Sequence, residues 1–421
     1  MPSDLLDATV AAVHPEWFMA KNLVILFDGT SNEISADRTN VLRLFGTLKR
    51  CDEQIVYYDP GIGTFGAPNA WSRLLRKSYE IFGLATGWGL DQNVKEAYRF
   101  LVENYDRGPS DADGRHPDRD RIYIFGFSRG AYSGRVLAGF IHAFGLTSRY
   151  HLNLLDYAYR TYKGIPAQEE QRGGAPEDGG EDAPSAFAAM RLYERTLRND
   201  RPPIKLLGLF DTVASVIEAG KWHPQFKTHP FTRKNPSVEW VRHAVAIDER
   251  RTMFQPELWE RDQEYWGRPF RPKMPVKQNF KEVWFAGVHG DIGGGYPEAQ
   301  SGAVKIPLAW MIKETNPAGL LYRTRTVNDI VLGKSGKYAP LDPMAPLHSS
   351  MTAGWKILEY IPRRVPENSW RKRGSRNGIY FPLSDRRFIA DDALIHISVK
   401  ERKDARSYDP PNLPANPHFV P

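Results

Sequence analysis

Short runs of mostly apolar residues recur along the chain and are separated by longer stretches of a different pattern. They lie at 23–27, 55–58, 122–125, 204–210 and 283–288. Apolar runs of this length, without alternating polar positions, are typical of strands that are covered on both faces of a parallel sheet. Each run therefore predicts a buried strand.

Two intervening segments carry apolar residues at three- and four-residue spacing, which indicates amphipathic helices. One spans 90–105, with Asp91 as its expected N-cap, and the other carries its apolar stripe over 136–144. The segment around His243 also reads as helical. Strands that alternate with helices predict an α/β fold, in which a mostly parallel sheet has helices on both faces.

The same alternation suggests how the 421 residues are organised. The expected parts are an N-terminal extension at 1–18, a catalytic domain at 19–405 and a C-terminal tail at 406–421. Met19 directly precedes the first strand, which sets the first boundary. The stretches 146–200 and 215–280 interrupt the alternation, so we expect them to be insertions above the sheet, one of them a lid.

The net charge of +7 is unevenly distributed. Residues 166–186 carry six acidic residues against one arginine and are expected to form a surface loop. A basic, aromatic segment at 354–388 has the opposite character. It is either a solvated basic face or a surface that contacts an anionic membrane. No nucleic-acid-binding motif accompanies the charge, so nucleic acid is not an expected partner.

Cys51 is the only cysteine, so an intrachain disulfide is excluded and a reducing compartment suits the chain. The first residues are acidic where a secretory signal needs basic ones, and no sustained apolar core follows them. The longest apolar runs are shorter than a membrane-spanning helix requires. We expect a protein that is cytoplasmic when synthesised and is exported, if at all, by a route that reads no signal peptide.

Candidate chemistry centres on Gly126-Phe127-Ser128-Arg129-Gly130, a G-x-S-x-G sequence. It follows a predicted strand and precedes a predicted helix. In that context the small flanking residues allow a strained turn that exposes a nucleophilic serine at the edge of an α/β-hydrolase sheet. The alternative is an ordinary turn serine. A serine hydroxyl needs a histidine to accept its proton and an acid to orient that histidine.

On an α/β-hydrolase sheet the acid and the histidine follow the serine in the chain. Asp211 stands at the tip of a predicted strand, and His289 comes after the next strand that we predict, in a glycine-rich segment. His243 and His396 are competing candidates for the base, whereas His142 is expected to be structural. Asp291 is a second candidate for the acid, and its other interpretation is a loop cap.

An oxyanion hole on this fold takes one N–H from the residue after the nucleophile, here Arg129. The second comes from the loop after the first strand, where Gly29 and Thr30 are the candidates. Asp28 is expected to hold this loop in place by hydrogen bonds.

Two other chemistries compete with this one. The G-x-G-x-x-G sequence at 61–66 is followed by Pro68 and a long aromatic stretch, and it lacks the later acidic residue that ribose binding requires. A metal site formed by Asp28, Asp211, His289 and Asp291 stays open, although no tight ligand cluster supports it. The prediction is a site with no metal and no cofactor.

Taken together, these motifs resemble the type VI secretion phospholipase effectors, a bacterial α/β-hydrolase family. The resemblance is carried by the following segments: FDGTSN, YDPGIGT, LDQNVKEAYRFLVENY, IYIFGFSRGAYSGRVLAGFI, LGLFDTVAS, HAVAIDERR, EVWFAGVHGDIGGGYP and IHISV. It implies an α/β-hydrolase that cleaves phospholipid esters, with a triad on Ser128, Asp211 and His289. The rival interpretation is a non-catalytic membrane or interaction module on the same fold.

Overall fold

Eight of the described strands form one sheet in which every neighbouring pair is parallel. The strands are β1 Asn22–Phe27, β2 Gln54–Asp59, β3 Arg121–Phe127, β4 Ile204–Phe210, β5 Val238–Ala246, β6 Asn279–Phe285, β7 Leu394–His396 and β8 His418–Val420. Their order across the sheet is β8-β7-β6-β5-β4-β3-β1-β2. Because all eight run in one direction, their carboxyl ends meet at a single edge.

This computed structural model describes most of the chain. The described residues are 19–29, 37–61, 88–112, 116–165, 192–193, 195–197, 199–213, 217–219, 224–226, 229–267, 276–364, 379–405 and 408–421. The expected extension at 1–18 and the acidic segment at 166–186 lie outside them.

Helices connect and cover the strands. They are α1 Asn40–Thr47, α2 Trp88–Asn104, α3 Arg129–Phe144, α4 Leu155–Lys163, α5 His289–Gly293, α6 Lys305–Thr315, α7 Thr324–Thr326, α8 Ala353–Leu358 and α9 Ile397–Asp404. Short 3₁₀-helices lie at Arg149–Leu154, Thr252–Phe254, Glu298–Gln300 and Asn316–Ala318, and a short π-helix lies at Val327–Val331. Three two-stranded hairpins pair 217–219 with 224–226, 264–265 with 276–277, and 363–364 with 379–380.

The two faces of the sheet belong to separate hydrophobic cores. Along β1, Leu23, Ile25 and Phe27 pack into the core that α2, α3 and α4 cover. Val24 and Leu26 pack into the opposite core, with α1 and α6. Burial of both faces explains why the sequence of β1 is apolar from Leu23 to Phe27, and the two-sided core confirms the predicted α/β fold.

The expected insertion at 215–280 is partly wrong, because β5 runs through it as a central strand between β4 and β6. His243 lies in this strand, so the helix predicted around it is also wrong. The sequence hides the strand because it includes Arg242 and His243. Both are buried against carboxylates, Arg242 against Glu314 at 2.9 Å and His243 against Glu282 at 2.8 Å.

Two smaller boundaries also differ from the predictions. The expected tail at 406–421 contributes β8, which pairs with β7 at the end of the sheet. Helix α2 begins at Trp88, so Asp91 lies in its first turn and is not its N-cap. Asp91 there accepts hydrogen bonds from Tyr159 and Lys163 of α4.

Across the described part of the chain, every helix is too short or too polar to cross a lipid bilayer.

Candidate active site

Ser128 occupies the turn between β3 and α3 with a backbone conformation that side-chain-bearing residues rarely adopt. Its φ is 58° and its ψ is −124°. Strain of this kind persists only where the surroundings fix it. Here the Ser128 N–H donates to the carbonyl oxygen of Phe210 at 3.0 Å, which ties the turn to the end of β4. The turn therefore has the geometry of a nucleophile elbow.

The two glycines of the G-x-S-x-G sequence are required by close backbone approach. A Cβ on Gly126 would lie 2.5 Å from the backbone of Gly130 and Ala131. A Cβ on Gly130 would lie 2.4 Å from the carbonyl oxygens of Phe27 and Asp28. Backbone atoms cannot move aside as the end of a side chain can, so both positions exclude larger residues.

Replacing Gly130 with alanine is expected to destabilise the protein by about 1–3 kcal/mol or more, because the added methyl group overpacks rigid backbone. Gly354→Ala is the matched control. That glycine lies in α8, and no atom lies within 4 Å of the place that its new methyl group would take, so alanine should be neutral or slightly stabilising. Thermal unfolding of both variants measures the difference. Equal melting temperatures would contradict the close approach at Gly130.

Asp211 follows β4 at the same edge of the sheet and is fully buried. Its backbone also adopts a positive φ, 39°. Its N–H donates to the carbonyl oxygen of Ala244 at 2.7 Å, and the N–H of Ala246 donates to its Oδ1 at 2.9 Å. The end of β5 therefore fixes the direction of the Asp211 carboxylate.

His289 is the first residue of α5, after β6, and its imidazole joins the other two side chains. Nε2 lies 2.8 Å from Oγ of Ser128, and Nδ1 lies 2.5 Å from Oδ2 of Asp211. The rings of Phe127 and Phe254 pack against the imidazole, with centroids 4.7 and 5.0 Å away. The expectation that His289 follows the very next strand is corrected, because β5 intervenes in the chain.

The structure brings Ser128, His289 and Asp211 into one hydrogen-bonded chain across three strand ends. All three residues are buried. In such a chain the imidazole can accept the serine proton while the carboxylate holds the imidazole in orientation.

Arg387 is a fourth member that sequence reasoning missed. Its guanidinium donates to Oδ1 of Asp211 at 2.6 Å and to Oδ2 at 3.0 Å. Both side chains are fully buried. The sequence places Arg387 in the basic segment at 354–388, for which only surface roles were expected, so this arginine corrects that expectation. The sequence gives no local signal for this burial, since the charged Arg387 is buried whereas the neighbouring apolar Phe388 is exposed.

Burial and the neighbouring charges act in opposite directions on the pKa of Asp211 and on the pKa of His289. Burial raises the pKa of Asp211, but the charge of Arg387 and the hydrogen bond to His289 outweigh it, so the pKa lies well below its ordinary value. Burial lowers the pKa of His289, and Asp211 only partly reverses this. The favoured state at neutral pH therefore combines an ionised Asp211 with a neutral imidazole that is able to accept a proton.

A second ion pair, between Glu249 and Arg251, contacts the backbone of His289. Glu249 accepts the backbone N–H of His289 at 3.2 Å and pairs with Arg251 at 2.9 Å. Burial raises the pKa of Glu249, but the hydrogen bond and charge of Arg251 lower it to about 2. Both residues lie in the HAVAIDERR segment that carries the family resemblance, yet their role was not predicted.

The competing histidines lie elsewhere. His243 is buried in β5, where Nε2 accepts the N–H of Thr212 at 3.2 Å. His396 hydrogen-bonds Ser398 at 2.8 Å and stacks on Phe285, and burial lowers its pKa to about 4. His142 hydrogen-bonds Ser237 at 2.8 Å. Each of the three has a structural partner, and none is hydrogen-bonded to Ser128.

The residues of the alternative metal site have separate partners. Asp291 hydrogen-bonds His348 at 2.5 Å and the N–H of Val288 at 2.9 Å, so it supports the start of α5. Asp28 accepts from Thr39 at 2.5 Å and from Tyr58 at 2.7 Å, which holds its loop as predicted. Within the residues described, no three His, Cys, Asp or Glu side chains converge to hold a metal ion.

The structure describes two of the three predicted oxyanion donors, Arg129 and Gly29. Arg129 is the first residue of α3, where a backbone N–H points away from the carbonyl groups of its own helix. The N–H of Gly29 donates to Oδ1 of Asp28 at 2.7 Å. Thr30 lies outside the described residues.

A family model for the catalytic domain of Tle1-like phospholipase effectors of the type VI secretion system matches residues 21–314. The chain belongs to this Tle1-like family. The predicted resemblance is thereby confirmed, and the family is one of lipid-hydrolysing enzymes. Its matched span includes Ser128, Asp211 and His289, whereas Arg387 lies beyond it.

Relatives of this Tle1-like chain extend outside bacteria. An uncharacterised protein of Saccharomyces cerevisiae, YEL023C, is 33% identical over 243 residues, which are 56% of this chain. The aligned part is 32% of the yeast protein, so the chain spans about a third of that relative's length. The expectation of a purely bacterial family is therefore too narrow.

Two solved structures are similar at 20% identity. One is an uncharacterised protein from Pseudomonas aeruginosa, with a TM-score of 0.39, covering 77% of this chain and 50% of that one. The other is a Tle1 effector bound to the VgrG spike of the type VI secretion system, with a TM-score of 0.32. It covers 71% of this chain and 57% of the effector.

Proposed function

We propose that this chain is a serine hydrolase that cleaves carboxylic ester bonds of phospholipids. The observation that carries the proposal is the 2.8 Å contact between Oγ of Ser128 and Nε2 of His289, at a turn whose strained backbone has no other evident use. Membership in a family of phospholipase catalytic domains supports the lipid substrate.

In the proposed mechanism, Oγ of Ser128 attacks the ester carbonyl carbon while His289 accepts the hydroxyl proton. The tetrahedral intermediate collapses, and His289 donates that proton to the departing alcohol. Water then attacks the acyl-enzyme carbonyl while His289 accepts a proton from it; the bond to Oγ of Ser128 breaks, His289 returns the proton to that oxygen, and the fatty acid leaves. Asp211 keeps the imidazole in the required tautomer and stabilises its charged form. No cofactor is needed for these steps.

The oxyanion is proposed to receive the N–H of Arg129, which adjoins the nucleophile at the start of α3. A helix N-terminus favours negative charge, which adds to this stabilisation. A second donor is proposed from Gly29 or Thr30. For Gly29 to serve, its N–H has to leave the Asp28 carboxylate when substrate binds.

Mass spectrometry of lipids after incubation with the protein tests the proposed reaction. Phospholipid vesicles should yield free fatty acid and lysophospholipid in equal amounts with wild type and neither product with Ser128→Ala. The same spectra identify the acyl position and the headgroup. Release of a phosphorylated headgroup without fatty acid would contradict ester cleavage at the acyl chain.

We also propose that exposed apolar residues near the site contact the lipid surface, and we call them the lipid-facing patch. They lie on α8 and around the hairpin that follows it, at Ile357, Tyr360, Ile361, Phe381 and Leu383, each at least half exposed. Trp355 of α8 packs edge-on against Phe254, whose ring contacts His289. Helix α8, which carries Ile357 of the patch, is therefore joined to the proposed base by two ring contacts through Trp355 and Phe254.

Charge supports an anionic bilayer as the occupant of this patch. Lys356 is exposed on α8 beside Ile357, and the sequence adds six basic residues at 363–376. Apolar insertion together with a basic surround is the combination that peripheral enzymes use at anionic membranes.

The double variant Ile357→Ser, Phe381→Ser is expected to bind phosphatidylglycerol-containing vesicles about tenfold or more weakly, because two side chains lose their burial in lipid. Vesicle flotation measures binding, and hydrolysis of a soluble ester should be unchanged. Tyr150→Ser is the matched control, since Tyr150 is 77% exposed but follows the far end of α3. Wild-type binding by the double variant, or binding that ignores added salt, would contradict the proposed contact.

Membership in the Tle1-like family also makes delivery by a type VI secretion system part of the proposal.

A further inference from the structure

Arg387 has the contacts of a residue that is built into the site. Besides both oxygens of Asp211, its guanidinium donates to the carbonyl oxygens of Ala246 at 2.9 Å and Phe254 at 2.5 Å. Ala246 ends β5, which fixes Asp211 from the other side, and the ring of Phe254 packs on the imidazole of His289. The guanidinium of Arg387 thus contacts Asp211, the end of β5 and the backbone of Phe254, whose ring packs on His289.

The ion pair between Arg387 and Asp211 differs from an ordinary structural ion pair because it acts on the adjacent hydrogen bond between Asp211 and His289. Oδ2 of Asp211 accepts from His289 and from Arg387 at once. A carboxylate that shares its charge with a guanidinium attracts the imidazole proton less strongly. The energy of such an interaction is large where solvent is excluded, and both charged side chains are fully buried.

We infer that Arg387 is a positioning residue that fixes the rotamer of Asp211 and sets the pH at which His289 becomes a competent base. The inference rests on the proposed function, because it assigns a role within the same hydrolytic site. It also places an essential part of the site beyond residue 314, where the match to the family's catalytic domain ends.

Other charged groups face the same atoms and set the background for this effect. Glu249 lies behind His289 and favours its protonation, whereas Arg251 opposes it. His243 packs near Asp211 from β5, and burial lowers its pKa, which favours its neutral form. Arg387 is the cation that contacts the Asp211 carboxylate directly, so its removal should dominate any change in the titration of His289.

The direction of the expected shift in the pH profile follows from the protonation state of His289 that catalysis requires. His289 accepts a proton only when neutral, so activity falls as the pH drops through its folded-state pKa. Removing the charge of Arg387 leaves Asp211 a stronger acceptor and stabilises the protonated imidazole. Arg387→Gln is therefore expected to move the acid limb of kcat/KM upward by ~0.5–1.5 pH units, besides lowering the rate at neutral pH.

The experiment measures two pH profiles: hydrolysis of a soluble short-chain ester and the rate of Ser128 labelling by a fluorophosphonate probe. Arg387→Lys keeps the charge but loses the planar fork, so its acid limb should stay near that of wild type while kcat falls about tenfold. Arg386→Gln is the matched control. Arg386 is the neighbouring arginine, partly exposed and 3.8 Å from Asp248, and its loss should leave both profiles unchanged.

Each outcome separates this inference from the proposed function. A wild-type protein that the probe does not label overturns the proposed function itself. A labelled wild type with an unshifted acid limb in Arg387→Gln overturns the role of Arg387 alone. Should Arg387→Gln fail to fold, Arg387→Lys decides, because wild-type kcat in that variant contradicts positioning by the fork.

Discussion

Ser128→Ala is expected to lower kcat/KM for phospholipid esters by about 10⁴-fold or more and to abolish labelling by a fluorophosphonate probe. The alanine removes the atom that would form the acyl-enzyme, and water held in its place lacks the same alignment. Because Ser128 already adopts its strained φ as a side-chain-bearing residue, alanine adds no backbone penalty. The fold and the melting temperature should therefore be retained.

The control for this variant is Ser133→Ala, in the helix α3 that follows the turn, where the serine is also buried. It removes one serine hydroxyl without touching the turn. Normal labelling and turnover in Ser133→Ala, with both lost in Ser128→Ala, assign the chemistry to the turn. If Ser128→Ala keeps its activity, the hydrolase proposal fails and a binding module on this fold becomes the better account.

The second large effect is expected at His289, where alanine should also lower kcat/KM by about 10⁴-fold or more. Without the imidazole, no other base among the described residues lies within hydrogen-bonding distance of Ser128, and Asp211 keeps Arg387 as a charged partner. Probe labelling of Ser128 should slow to a similar extent, because the same proton has to leave the hydroxyl. Steady-state kinetics and labelling rates together check this prediction.

His396→Ala is the informative comparison for His289→Ala. The side chain of His396 caps α9 by accepting the N–H of Ser398, so its loss should lower the free energy of unfolding by about 1 kcal/mol. Turnover should stay close to that of wild type. A loss of turnover in His396→Ala without a loss of stability would reassign the base to the other histidine.

The largest error at the level of elements, the missed strand β5, has a clear physical cause. A buried strand is recognised from its sequence when its side chains are apolar, as in β1, β3 and β4. The central strand β5 carries Arg242 and His243, and their burial is made tolerable by Glu314 and Glu282, which come from distant elements. Polar residues that are satisfied by remote partners have no local signature, so the strand looked like part of an insertion.

The sequence by itself determined the alternation of strands and helices, the turn at Ser128 and a short set of candidate acids and bases near strand ends. These follow from short-range rules: an apolar run, two glycines around a serine, and the fact that parallel strands end at one edge. Only the tertiary structure decided which histidine reaches Ser128 and that Arg387 joins Asp211. Those contacts link residues 161 and 176 positions apart. They depend on the whole sheet being assembled, because packing and exclusion of water, and no local pattern, bring such charges together.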